Sequence, residues 1–178
     1  MRKAKLDRVG FVVIGRNEGE RLSRCLESLL MVGDQIVYVD SGSTDRSVQL
    51  ARNLDIAVCE LDSSAPYTAA RGRNVGFQEI RDRFNCDYVQ FIDGDCILEP
   101  GWVAAAMASL DENAKMAIVC GRRREENPAA SLYNRQMDEE WNTSVGRADH
   151  CGGDAMVRMS AFEQVGGFRA ELKAGDAK

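Results

Sequence analysis

The sequence is poor in the residues that most often announce chemistry. It holds one histidine, His150, and six cysteines (Cys25, Cys59, Cys86, Cys96, Cys120, Cys151) without a CxxC pair. No zinc-ligand spacing is present, and scattered thiols read as free cysteines of a reducing compartment. No stretch approaches the roughly 18 to 20 apolar residues of a membrane span. The opening "MRKAKLDRVGFVVIG" has a basic start, but its apolar run is shorter than a signal-peptide core and is broken at Gly15. Positive charge is also in deficit: the formal net charge is -5, against the clustered Lys and Arg that a nucleic-acid surface needs. The one basic cluster, "GRRREEN", runs straight into two glutamates and reads as a solvated strand end. Repeats, low-complexity tracts and linkers are missing. These absences lead us to expect a cytoplasmic chain with no membrane span and no nucleic-acid partner.

What is present is an alternation. With 178 residues, the chain is long enough for one domain with a sizeable core and short for two. Val9 to Ile14 reads as a first strand, followed by a helix on Leu22, Leu26, Leu29 and Leu30. "QIVYVD" reads as a second strand, then a helix on Val48, Ala51 and Leu54 with Ser43 or Thr44 as caps. "IAVCEL" is a third strand, and the next helix carries Val75, Ile80 and Phe84. "YVQFID", nearly continuous in apolar residues, reads as a central fourth strand. "EPGWVAAAMASLDE" follows with Pro100 placed for the first helical turn, and "MAIVCGR" is a fifth strand. Further on, "AASLYNRQMDEEW" looks helical, "DAMVRMS" alternates like a half-buried strand, and "SAFEQVGGF" is a short helix ended by glycine. The order implies an α/β sandwich with a mostly parallel central sheet flanked by helices.

In such sheets ligands bind at the carboxyl ends of the strands. Those ends carry "GRNE", "VDSGSTD" and "IDGDC". Residues two apart in an extended segment face one way, so Asp93 and Asp95 converge if the strand persists through Gly94. Two like charges that close call for a cation, and oxygen-only ligands favour Mg2+ or Mn2+ beside substrate phosphates. Asp-Gly-Asp is also ordinary turn chemistry. Asp40 ends the second strand before small residues, and Arg71 and Arg73 lie just before or within the first turn of a helix, where an anion is met. Both arginines are equally readable as surface charges.

Taken together, these residues resemble the family 2 glycosyltransferases of the GT-A fold. "VVIGRNEGERLSRCLESL" looks like the family's opening strand and helix, "VDSGSTDRS" like its Asp-x-Gly-Ser-Thr-Asp segment, "ARGRNVGF" like its Ala-Arg-Asn-x-Gly segment and "FIDGDC" like its DxD motif. "GGDAMVRMSAFEQVGGF" is similar to its acceptor-side segment. The resemblance implies one GT-A domain over 1–178, with a nucleotide-binding part over about 1–125 and an acceptor-side part over about 126–178. It implies a donor site of Gly15, Arg16, Glu18, Asp40, Arg73, Asp93 and Gly94. Glu18 and Asp40 would contact the nucleoside, Asp40 its base, and Arg73 would approach the nucleotide or its diphosphate. Asp95, with Asp93, would hold Mn2+ or Mg2+. Gly152, Gly153 and Asp154 would lie on the acceptor side. The implied reaction moves a sugar from a nucleotide donor, often UDP-linked, to a hydroxyl of a glycan or lipid-linked acceptor, with inversion.

The general base departs from the pattern. The family carries an acidic pair after Gly-Gly-Phe; here the sequence reads "GGFRAELKAGDAK", and Asp176 stands near the expected place without a second acid. Asp154 is the substitute, with strand-end capping as its ordinary role, and His150 reads as a loop residue. The expectation is a fragment of a longer enzyme, of bacterial glycan assembly by analogy and associated with the inner face of a membrane in its full length. A dinucleotide-binding oxidoreductase would need G-x-G-x-x-G, which "VVIGRNEGE" lacks. An aspartate-nucleophile phosphatase would carry its Asp-x-Asp on the first strand. A sugar nucleotidyltransferase and a non-catalytic nucleotide-sugar or glycan-binding module are the remaining alternatives.

Overall fold

The computed structural model describes residues 6–148, 151 and 153–170. Asp176, Gly152 and His150, singled out above, lie outside the described residues. Strands and helices alternate as β1 (Val9–Gly15), α1 (Glu20–Leu30), β2 (Ile36–Asp40), α2 (Ser47–Asn53), β3 (Ala57–Glu60), α3 (Ala69–Arg83), β4 (Tyr88–Asp93), α4 (Trp102–Glu112), β5 (Ile118–Cys120), α5 (Leu132–Glu140), β6 (Ala155–Arg158) and α6 (Met159–Val165). They build one sheet in the order β3-β2-β1-β4-β6-β5. β3, β2, β1 and β4 run parallel, and β6 lies antiparallel to both β4 and β5.

The strict period of two sorts β1 onto two cores. Val9, Phe11 and Val13 face one cluster with Leu22, Leu26 and Leu29 of α1 and Val103, Ala106 and Leu110 of α4. Val12 faces the other, with Phe77 and Ile80 of α3 and Phe162 of α6. Helices on both faces explain why the central strands read as apolar runs rather than alternations. α3 lies unusually close to the sheet: a Cβ on Gly76 would come within 2.3 Å of Val12 Cγ1, and one on Gly72 within 3.3 Å of Ile14 Cγ2. Phe162 is ringed by Phe77 at 4.5 Å, Phe168 at 5.1 Å and Phe91 at 5.2 Å between centroids, an arrangement worth about 0.5–1.5 kcal/mol per pair beyond burial.

Two local expectations are corrected. Pro100 is not in the first turn of α4: Gly101, in the left-handed region at φ 90°, is the N-cap and the helix starts at Trp102. β6 is buried through Ala155, Met156 and Val157 rather than half-buried, because it is inserted between β4 and β5 with one core on each face. α5 forms, but none of its residues is buried.

Candidate functional site

Parallel strands that start level also finish level. The register pairs Gly15 with Asp40 and Ile14 with Asp93, so the ends of β1, β2 and β4 share one rim. The antiparallel β6 begins at that same rim, since Phe91 pairs with Ala155. Topology alone therefore brings Asp154 to Asp93.

The two loops after β1 and β2 are fastened to each other. The Asn17 side chain accepts the Thr44 N–H at 2.7 Å, and the Asn17 N–H donates to Ser43 Oγ at 2.9 Å. Ser47 Oγ accepts the N–H groups of Glu18 and Gly19, each at 3.2 Å. Ser43 and Thr44 thus serve this junction and do not cap α2, whose first N–H, that of Ser47, is taken by Asp45 Oδ1 at 2.9 Å. Asn17 and Ser47 were missed in the sequence. The available signal for Asn17 was an Asn in a strand-end loop, where its φ of 57° is one that Asn tolerates.

Asp40 is 1% exposed. One carboxylate oxygen accepts the Tyr38 hydroxyl at 2.8 Å and the Ser43 hydroxyl; the other accepts the N–H groups of Gly42 and Ser43 at 3.0 and 2.7 Å. With these donors Asp40 organises its own turn. Tyr67 covers that turn, 3.1 Å from where a Gly42 Cβ would stand, and Arg16 lies over the Tyr67 ring at 5.7 Å.

β4 stops at Asp93, where the Cys96 N–H closes a turn onto the Asp93 carbonyl at 3.0 Å. Asp93 and Asp95 consequently do not share one extended face, as the spacing suggested. Asp93 is paired with Arg73 at 2.6 Å, both partly shielded, while Asp95 is exposed and accepts a weak contact from the Cys96 thiol at 3.6 Å. Among the described residues, Arg73 Nε is buried without a hydrogen-bond partner. Arg71, by contrast, clamps its own loop through the carbonyls of Asp62 and Ala65 and the Asp62 carboxylate. Of these two arginines, Arg73 is the one at the rim. Gly94 and Gly15 leave room for Glu18: a Cβ would stand 3.3 and 2.9 Å from Glu18 Cγ. Glu18 Oε2 is shielded; Arg21 lies 2.8 Å away but without hydrogen-bond geometry.

Asp154 completes the group. Its Oδ1 accepts the Asp93 N–H at 3.4 Å. Its Oδ2 is shielded and lacks a hydrogen bond, with Arg123 Nε 3.4 Å away as an ion pair only. Burial first, and repulsion by Asp93 second, push its carboxyl up to about 6, against the opposing pull of Arg123 and Arg73. A Gly153 Cβ would stand 2.3 Å from the Arg73 guanidinium and 2.8 Å from Asp93 Oδ2. A side chain there would have to displace that pair. The carboxylates also reach the neighbouring thiols: burial and these charges push Cys25 up to about 12 and raise Cys96 as well, so both stay protonated.

Among the described residues, no three His, Cys, Asp or Glu side chains converge as a ready-made metal cluster. A hard divalent cation that keeps its waters needs only one or two protein carboxylates beside substrate phosphates. The exposed Asp95 next to Asp93 fits that donor set. At the far end of the sheet, a cavity of about 470 Å³ is lined by Arg8, Tyr88, Asp111 and Arg158. Its charges are paired internally: Arg8 grips Asp111 at 2.8 and 2.9 Å, and Arg158 donates to the Leu110 carbonyl at 2.8 Å.

This fold matches that of GT-A glycosyltransferase structures. The mannosyltransferase of Pyrobaculum calidifontis in complex with GDP-Man and Mn2+ superposes with a TM-score of 0.68 at 20% identity, covering 95% of this chain and 49% of that one. Glucosyl-3-phosphoglycerate synthase of Mycobacterium tuberculosis in complex with UDP gives 0.57 at 19% identity, over 85% of this chain and 57% of that one. At such identities the likeness is one of fold. The family follows from the sequence itself: the glycosyl transferase family 2 pattern matches residues 11–166, and the chain belongs to that family. Among curated relatives, the O-antigen chain rhamnosyltransferase RfbN of Salmonella typhimurium is 26% identical over 150 residues, which is 76% of this chain and 46% of that protein. A TPR repeat-containing protein of Synechococcus elongatus is 28% identical over 135 residues, 74% of this chain and 31% of that protein. The chain spans less than half the length of these relatives. No helix among the described residues is long and apolar enough to cross a membrane.

Proposed function

We propose that the rim binds a nucleoside-diphosphate sugar, with UDP as the favoured nucleotide, and that the protein transfers the sugar to an acceptor hydroxyl with inversion. The observation that carries this reading is the meeting of Arg73, Asp93 and Asp154 around the side-chain-free Gly153, beside the exposed Asp95. Arg73 would face the diphosphate and stabilise negative charge as it develops on the leaving group. Asp95, with Asp93, would hold Mn2+ or Mg2+, which when bound supplies Lewis-acid charge to the same oxygens. Glu18 and Arg16, with the loop organised by Asp40, would frame the nucleoside.

The acceptor hydroxyl must lose a proton to a carboxylate. Asp176 is assigned that role by resemblance. Among the described residues, Asp154 has the properties of such a group: a shielded oxygen without a hydrogen bond, and a proton affinity raised toward neutrality. The acceptor is a hydroxyl of a glycan or lipid-linked glycan, and the setting is the cytoplasmic face of a membrane. A non-catalytic nucleotide-sugar-binding module is the second reading, because the chain spans less than half of its curated relatives.

Titration calorimetry with UDP and GDP, with and without Mn2+, tests the donor site. Metal-dependent binding that disappears in Asp95→Asn is expected; binding of NAD that ignores the metal would refute the reading. Turnover of UDP- and GDP-sugars by the full-length protein separates enzyme from module, and NMR of the product anomer decides inversion.

A further inference from the structure

α5 has no buried residue, so apolar burial does not seat it. Instead the segment after β5 holds it by polar contacts. The Glu125 N–H donates to Asp138 Oδ1 at 3.0 Å, Arg122 lies 3.6 Å from Asp138 Oδ2, and the Arg123 guanidinium stacks on the ring of Trp141 at 4.8 Å. Two ion pairs join that segment to the body. One is Arg24 with Glu126, both more than half exposed, and such pairs are held loosely in water. The other is Arg123 with Asp154, whose side chain is only 18% exposed. Arg123 is thus the one residue of this segment that touches α5 on one side and the rim on the other.

We propose that Arg123 is a positioning residue that couples α5 to the rim: it meets the Asp154 carboxylate and the Trp141 ring at the end of α5 at once, so the seat of α5 depends on the charge of Asp154. The chemistry favours a guanidinium here. It is planar enough to stack on an indole, and its N–H edge remains free for a carboxylate. Removing the Asp154 charge leaves Arg123 without an anchor at the rim, and the stack on Trp141 loosens with it. The functional end of this inference rests on the reading of the rim as a donor site: charge arriving or leaving there would be felt at α5, some of whose exposed residues, such as Leu132 and Tyr133, are apolar. The coupling itself does not require a nucleotide.

The chain has two tryptophans. Fluorine NMR of the protein labelled with 5-fluorotryptophan gives two resonances, assigned by the loss of one in Trp141→Phe. Trp102, whose indole donates to the buried Gln90 at 2.8 Å, is the internal control for folding. In Arg123→Gln and in Asp154→Asn, the Trp141 resonance is expected to move toward that of free fluorotryptophan while Trp102 stays in place. An unmoved Trp141 in Asp154→Asn overturns the coupling even if Arg123→Gln moves it, because the stack would then be local. An unmoved Trp141 in both variants overturns it outright. Should Asp154→Asn displace Trp102 as well, Asp154→Ser, uncharged and smaller, decides by the same criterion. Because no nucleotide enters the experiment, failure of the donor-site reading and failure of the coupling remain separate results.

Discussion

The Asp93 N–H points at Oδ1 of Asp154 from 3.4 Å, across the antiparallel pair of β4 and β6. Two carboxylates are thereby drawn together from positions 61 residues apart, one paired with Arg73 and the other shielded from water. Their juxtaposition is unfavourable when both are ionised, and it sets the first prediction.

Asp154 has a folded-state pKa of about 6 against an ordinary 3.8. Between those values the native state binds more protons than the unfolded state, so stability falls as pH rises from about 4 to about 6 and stays reduced above that. Asp154→Asn is expected to remove this slope and to raise stability at neutral pH by up to about 3 kcal/mol. Urea unfolding of both proteins at several pH values, without divalent ions, checks it; an unchanged slope in the variant refutes it.

Arg73→Met removes the partner of a partly shielded carboxylate. Stability is expected to drop by about 1–2 kcal/mol, less than for a fully buried pair. Binding of a nucleoside diphosphate is expected to weaken tenfold or more, about 1.4 kcal/mol. Arg73→Lys restores the charge without the planar fork and should fall between the two. Calorimetry and thermal unfolding on the same samples separate binding from folding.

Gly153→Ala places a methyl group against the Arg73 guanidinium and the Asp93 carboxylate. The pair must part or the chain must shift, at about 1–3 kcal/mol. Donor binding should fall together with stability. A variant of wild-type stability and affinity would show that the rim yields freely at this position.

Asn17 contributes both a side-chain acceptor and an uncommon backbone conformation, and two substitutions divide these. Asn17→Gly keeps the backbone and loses the bond to Thr44, about 1 kcal/mol. Asn17→Ala loses the bond and is strained in addition, by about 1 kcal/mol more. Equal denaturation midpoints for the two variants would refute this partition.

Much of this arrangement was legible in the sequence. The apolar runs of β1, β2 and β4 end at polar clusters, so a rim of "GRNE", "VDSGSTD" and "IDGDC" follows from strand alternation alone. What escaped depended on contacts distant in sequence or on single dihedral angles. The turn that Asp40 organises was not visible, because the donors that bind it, Tyr38, Gly42 and Ser43, are ordinary neighbours with no distinctive signature. The turn at Gly94 dissolved the expected alignment of Asp93 and Asp95. Gly101 displaced Pro100 from its turn by taking the left-handed conformation that no other residue adopts as cheaply. Asp154 could be placed by motif, but its crowding against Asp93 required knowing that β6 is inserted beside β4.

The bare backbone of α3 at positions 72 and 76 has one more effect. Because main chain rather than flexible side chains presses this helix onto Val12 and Ile14, the backbone that carries Arg73 is fixed against the sheet, and Asp93 holds the guanidinium at its other end. If the proposed donor site holds, that polar environment would be oriented at folding, and little of it would need rearranging as negative charge develops.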